Sequence, residues 1–316
     1  MSVYGFTSAF AAELEAYLEF KANMGCTGAS RIWYLKQFDA YCTAHGRTVF
    51  DKETVEGWVG LRVQQCGRYR SWMSYIRDLG RWMTMNATPE AYVLSDRWKA
   101  PIVAAHPYLL TRREIELFFD AATQLQTHCP WRWQAVAFFT LMHSCGLRTG
   151  EARTLQTDQV NLDAGHVDII WSKGHRSRRL PLTDPVIAIL ETCDRTSRTQ
   201  FASRRTFFVS ATGNEVTTAT VGKVFGRIWD GAGLPRPVAG QQPRPYDFRH
   251  HFAYANIHRW MTAGDDVTAM LPYLSRYMGH ATFESTYYYV HTSPDFMAAY
   301  ADITAARQSL LPQVGF

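Results

Sequence analysis

At 316 residues, 47% hydrophobic and 19% charged, the chain has apolar mass for about two domain cores and too little charge for a disordered polymer. It has no run of roughly 18 apolar residues, and its N-terminus carries Glu13, Glu15 and Glu19 ahead of any Lys or Arg, so neither a membrane span nor a secretory signal peptide is expected. The six cysteines form no C-x-x-C pair, which argues against a zinc ribbon or a dense disulfide framework and suits a reducing cytoplasm. The net charge is +5, and residues 172–205 alone hold eight Lys/Arg against three Asp/Glu, a local basic stretch that could face a polyanion.

The first hundred residues read as helices. Phe10, Leu14, Tyr17, Leu18 and Phe20 recur at helical spacing, as do Ile32, Leu35, Phe38 and Tyr41. Asp51 is the expected N-cap of a third helix, with Glu53 and Glu56 in its early turns. A fourth helix is expected over about 69–85, with Trp72, Ile76, Leu79 and Met83 on one face and Arg68, Arg70, Arg77 and Arg81 on the other. The stretch 95–107 loses this periodicity and contains Pro101 and Pro107, as a linker would. Thr111 and Glu114 then form a capping-box pattern, and a long apolar helix is expected from Trp131 to Ser144. His166 to Trp171 is strand-like, 172–175 turn-like, and Arg178 to Leu182 a candidate return strand. Residues 247–263, 265–278 and 294–309 again look helical.

Four short words stand out: Cys145-Gly146-Leu147-Arg148-Thr149-Gly150-Glu151, Ser172-Lys173-Gly174, Tyr246-Asp247-Phe248-Arg249-His250, and Gly279-His280 followed nine residues later by Tyr289. Each alone is weak: an Arg past a helix end is usually a surface ion-pair former, and a Gly-His pair is usually a turn. In this order, after the Leu110-Thr111-Arg112-Arg113-Glu114-Ile115 helix start, they resemble the tyrosine recombinase (phage integrase) family over the whole chain. The resemblance implies a mainly α fold with a small β element. Its parts would be a helical N-terminal DNA-binding (core-binding) domain over 1–100, a linker over 101–108, and a mixed α/β catalytic domain over 109–316 that ends in an interaction helix.

The chemistry explains the residue types. Attack of a Tyr hydroxyl on a DNA phosphodiester builds extra negative charge on the non-bridging oxygens, and two guanidiniums, Arg148 and Arg249, can each donate hydrogen bonds to them. Fixed cations of this kind make a metal unnecessary, and no cofactor is expected. The resemblance implies that Tyr289 is the nucleophile, forming a 3′-phosphotyrosyl bond and releasing a 5′-hydroxyl. Lys173 would be the general acid on that leaving oxygen, and His280 a donor to a non-bridging oxygen. Glu151 would hold the site together by pairing, or simply cap its helix. Tyr246 stands where the family more often has His; a phenol donates a hydrogen bond but is no base at neutral pH, so His250 or water would take that part. Tyr288 is the alternative nucleophile, and Tyr287 and Tyr288 also read as packing or DNA-facing aromatics.

Backbone contacts to duplex DNA are expected from Arg68, Arg70, Arg77 and Arg81, from Arg176, Arg178 and Arg179 on the hairpin, and from Arg204, Arg205 and Arg244; a solvated helix face or loop is the competing reading for each. Phe296, Met297, Tyr300, Ile303 and Leu310 suggest a terminal helix that docks in cis or, as the family often does, on a neighbouring protomer. The expected function is a cytoplasmic, nucleoid-associated, site-specific recombinase of a mobile element. It would assemble as a homo-tetramer on paired double-stranded DNA sites, with or without related recombinases or accessory proteins. A type IB topoisomerase and a catalytically silent DNA-binding protein are the alternatives.

Overall fold

The computed structural model describes residues 4–26, 28–66, 70–99, 107–126, 128, 130–172, 176–237, 242–280, 282 and 286. The chain divides into two compact units, Met1–Ala104 and Ala105–Phe316, with the boundary inside the Pro-containing stretch.

The first unit holds α1 (Ala11–Asn23), α2 (Ala29–Ala44), α3 (Lys52–Cys66) and α4 (Met73–Asn86). Asp51 caps α3 as expected, its Oδ1 accepting from the Thr54 amide at 2.8 Å. The helical stripes meet in one core of Leu14, Tyr17, Leu35, Phe38, Trp58, Trp72, Ile76 and Leu79. Trp58 and Trp72 pack edge to face at 5.1 Å, and each fully buried large side chain of this kind contributes about 2 kcal/mol. Asp39 is buried but satisfied, accepting from the amides of Thr7 and Ser8 at 2.9 Å each. α4 begins at Met73, later than its periodicity suggests, because residues 70–75 form tighter turns: the Met73, Ser74 and Tyr75 amides bond three residues back to Arg70, Ser71 and Trp72.

The second unit opens with α5 (Arg112–Thr123), whose Thr111–Glu114 capping box is formed, and α6 (Trp131–Ser144), at the expected bounds. A short helix α7 (Thr149–Thr154) leads to a three-stranded antiparallel sheet, β1 (Val160–Asn161), β2 (His166–Ser172) and β3 (Arg176–Pro181), in the order β1-β2-β3. α8 (Asp184–Gln200), α9 (Thr218–Gly231), α10 (Asp247–Ala263) and α11 (Val267–Met278) complete it. α7, β1, α8 and α9 were not expected. The core is aromatic: Phe118 lies 5.0–5.1 Å from Phe139, Phe225 and Phe248, so α5, α6, α9 and α10 share one contact point. Buried Gln134 ties α6 to the loop before α9 through both its amide atoms and the backbone of Val209. α10 and α11 share a smaller cluster of Ile257, Trp260, Leu271, Leu274 and Met278. Among the described residues no helix is long and apolar enough to cross a membrane.

Strand alternation sets the site. Val167, Ile169 and Leu180 are buried, and the register pairs Val167 with Leu180 and Ile169 with Arg178. Arg178 therefore shares the inner face with Leu180, while Arg179 points the other way.

Candidate active site

Three chain segments converge around Glu151. The first is the turn after α6. Gly146 sits at φ +61°, and a Cβ there would lie 2.6 Å from the Phe252 ring, so glycine is needed for both conformation and space. This turn delivers Arg148 as the residue before α7. Its Nη1 donates to Glu151 Oε1 at 2.7 Å, its backbone amide to Oε2 at 2.9 Å, and its Nη2 to the Gly279 carbonyl at 2.7 Å.

The second segment is the start of α10. Arg249 is fully buried; its Nη1 donates to the Gly146 carbonyl at 2.5 Å and its Nη2 to the Met278 carbonyl at 2.7 Å. Its Nη1 stands 3.9 Å from Glu151 Oε2. A buried guanidinium is tolerated only with such partners.

The third segment is the end of α11. Gly279, at φ +66°, closes the helix and turns the chain so that its carbonyl and that of Met278 each accept from an arginine. His280 follows and is buried, its Nδ1 2.6 Å from Thr286 Oγ1. Burial first, then the guanidiniums of Arg249, Arg148 and Arg178, push the His280 imidazole down to about 3. The neutral ring accepting from Thr286 at Nδ1 would carry its proton on Nε2, which suits it to donate to an anion.

Arg178 is the third cation here. Its guanidinium is buried and forks onto Glu151, Nη1 to Oε1 at 3.1 Å and Nη2 to Oε2 at 2.8 Å. This corrects the expectation of a DNA-facing hairpin arginine: strand alternation turns Arg178 inward. Tyr246 precedes α10 and lines a surface groove with Arg148, Gln156, Ile170 and Arg205. Its ring meets that of His250 edge to face at 4.9 Å. Burial, aided by Arg244 and Arg249, holds His250 at about 4, so it is neutral and a weak base at pH 7.

Among the other expected contact arginines, burial corrects Arg77 and Arg204 and leaves the rest as they were. Arg77 is buried and donates to the carbonyls of Leu94 at 2.9 Å and Ser95 at 3.2 Å, so it fastens the chain after α4 instead of facing outward. Arg70 is half-buried and donates to the Trp98 carbonyl at 3.3 Å. Arg204 is buried against Asp194 and the Phe207 ring. Arg179 is exposed but forks onto Asp168 at 2.8 Å, and Arg244 pairs with Asp247 at 3.6 Å. Arg81 and Arg205 are exposed. Arg68, Lys173, the three tyrosines Tyr287, Tyr288 and Tyr289, and the 294–309 helix lie outside the described residues, as does the side chain of Arg176. The sequence reading missed Thr286 and the inward role of Arg178; the second was recoverable from the two-residue period linking Arg178 to Leu180.

The model of the phage integrase family matches residues 109–295. The chain is 27% identical to the integrase/recombinase y4rB of Sinorhizobium fredii, over 92% of this chain and 95% of that one. It is 27% identical to the tyrosine recombinase XerD of Bifidobacterium longum over 62% of each. Among solved structures, the Tn1549 transposon integrase in complex with circular intermediate DNA superposes with a TM-score of 0.60 at 16% identity, covering 92% of this chain and 99% of that one. The XerH recombinase bound to its difH substrate gives 0.60 at 19% identity, covering 94% and 85%. These two likenesses speak to the fold.

Proposed function

The chain belongs to the phage integrase family of tyrosine recombinases and is a site-specific DNA recombinase; we propose that it serves a mobile element, cutting and rejoining strands with the residues that converge on Glu151. The observation that carries this assignment of residues is the convergence itself. Arg148, Arg249 and His280 come from three distant segments, and backbone carbonyls at Gly146, Met278 and Gly279 fix both guanidiniums.

In the proposed reaction Tyr289 Oη attacks the scissile phosphorus. The phosphorus–O5′ bond breaks, and the 3′ side remains as a phosphotyrosine. Lys173 gives a proton to the departing O5′, which avoids expelling an alkoxide. Arg148, Arg249 and the Nε2–H of His280 donate to the non-bridging oxygens as their charge rises, each such donor being worth about 3 kcal/mol in the transition state. Tyr246 donates from the groove side. The tyrosine proton leaves through water, since His250 is too weak a base to hold it. A phosphodiester is exchanged for a phosphodiester, so rejoining needs no external energy. Homo-tetramer assembly on paired sites, coupled through the terminal helix, and action at the nucleoid in the cytoplasm belong to the same proposal.

The test is covalent trapping without divalent metal. Nicked duplexes tiled across the ends of the carrying element are incubated with wild type, Tyr289→Phe and Tyr288→Phe, then run on a denaturing gel. A protein–DNA band lost only in Tyr289→Phe is expected. Specific binding without any band would indicate a silent DNA-binding protein, and site-independent relaxation of supercoiled DNA a type IB topoisomerase.

A further inference from the structure

Among the described residues, Glu151 is the carboxylate that the three guanidiniums described above share, and the way they share it assigns Arg178 a part in the reaction. An ionised carboxylate offers about four lone-pair positions. On Oε1 these meet Arg148 Nη1 at 2.7 Å and Arg178 Nη1 at 3.1 Å; on Oε2 they meet Arg178 Nη2 at 2.8 Å and the Arg148 amide at 2.9 Å. Arg178 thus holds both oxygens in one fork, the strongest geometry for such a pair. Arg249 is left at 3.9 Å, beyond hydrogen-bond distance of the same carboxylate.

We propose that Arg178 is a positioning residue that occupies Glu151 so that the carboxylate does not close onto Arg249 and take a donor meant for the scissile phosphate. It has no need to touch DNA to do this. Its guanidinium is confined on the other side by the α11 turn: a Cβ at Gly279 would lie 2.9 Å from Arg178 Nη1. Without Arg178 the carboxylate loses that fork, and among the described residues Arg249, at 3.9 Å, is the next guanidinium after Arg148 that could close on it. The inference rests on the recombinase reading.

The experiment is single-turnover cleavage of the nicked duplex trapped above, at saturating protein. Arg178→Met is expected to cut about 100-fold more slowly, the effect of losing one aimed donor, with its DNA Kd unchanged. Arg178→Lys, a point charge that fills fewer positions, falls between the two. Adding Glu151→Gln to Arg178→Met is expected to recover at least about tenfold, because a neutral amide has little hold on a guanidinium. On a duplex whose scissile phosphate is a methylphosphonate, one non-bridging charge is gone, and the Arg178→Met defect shrinks. The proposal is overturned if Arg178→Met cuts at the wild-type rate, if it weakens DNA binding instead of cleavage, or if Glu151→Gln deepens the defect. It is equally overturned if the methylphosphonate leaves the defect intact. If Arg178→Met does not fold, Arg178→Lys with and without Glu151→Gln decides between the same outcomes. A wild type that cleaves no duplex removes the recombinase reading, and this inference with it.

Discussion

Mild acid should destabilise the free protein well before its carboxylates are protonated. His143 and His250 are both pushed down to about 4, His143 by burial and then by His251, whose ring stacks on it at 5.4 Å. In the unfolded chain each returns to an ordinary imidazole value near 6.5. A histidine whose folded value is lowered binds its proton in the unfolded state first. Its stabilising contribution is therefore complete above about 6.5 and is lost as pH falls from there towards about 4. At pH 5.5 the unfolded imidazole is about nine-tenths protonated and the folded one hardly at all, which costs about 1.3 kcal/mol per histidine relative to pH 7.5. The two together cost about 2.6 kcal/mol, a sizeable part of a total of roughly 5–15 kcal/mol, and should lower Tm by about 5–10 °C. His251 and His280 are lowered too and add in the same direction. Asp51, Glu56, Asp78, Asp96 and Asp168 are lowered carboxylates, whose contribution goes only at more acid pH. Asp247 is raised by burial and opposes the trend as it takes up its proton. The assay is thermal unfolding at pH 7.5 and 5.5 in wild type and His143→Phe, an aromatic swap beside Phe119 and Phe248. The variant should lose about half of the two-histidine effect. A wild-type Tm equal at both values, or a drop unchanged in His143→Phe, would refute the reasoning.

Glu151→Gln leaves three guanidiniums without their anion, and losing one partner of a buried ion pair costs about 3–5 kcal/mol; its Tm should fall, and sulfate or duplex DNA should restore more of it than in wild type. Gly279→Ala forces a side chain into φ +66° and towards Arg178, costing about 1–2 kcal/mol from the backbone alone, so both Tm and cleavage rate should drop. Arg77→Met should destabilise the first unit with little change in DNA affinity, whereas exposed Arg81→Ala, if it meets phosphate, should weaken binding and flatten its salt dependence. Equal affinity losses in the two would return Arg77 to the DNA-contact class.

The elements legible in the sequence were those whose signal is local. Asp51 and Thr111 cap helices by bonds that span three residues, and α6 is apolar along most of its length. α8 escaped notice because its buried stripe of Val186, Leu190, Cys193 and Ser197 is thin and interleaved with charge. That charge belonged to the basic stretch 172–205, which the fold takes apart. Arg178 goes inward to Glu151, Arg179 outward to Asp168, and Arg198 and Arg204 both go to Asp194. A tally along the chain cannot see these partners, since three of the four lie on strands or loops whose neighbours are set by pairing. Arg77 and Arg81 make the same point on a helix. They are four residues apart on one face, yet residues 94 and 95 cross over the first and not the second.

The site words were readable only as a set: each alone is weak, and their order and spacing carry the family resemblance. The burial of Arg249 and the positive φ of Gly146 and Gly279 appear only in the fold. What no word disclosed is that one carboxylate serves two ends. In the free protein Glu151 neutralises part of a buried cluster that would otherwise repel itself, and so helps the site to fold. In the proposed reaction the same carboxylate competes with the scissile phosphate for the guanidiniums. For that reaction a fork from Arg178 meets both demands, because it keeps the anion in place for folding while Arg249 stays at 3.9 Å, an ion pair without a hydrogen bond. Stability and catalysis therefore respond differently to substitution at 151 and 178: loss of Glu151 costs chiefly the first, and loss of Arg178 chiefly the second.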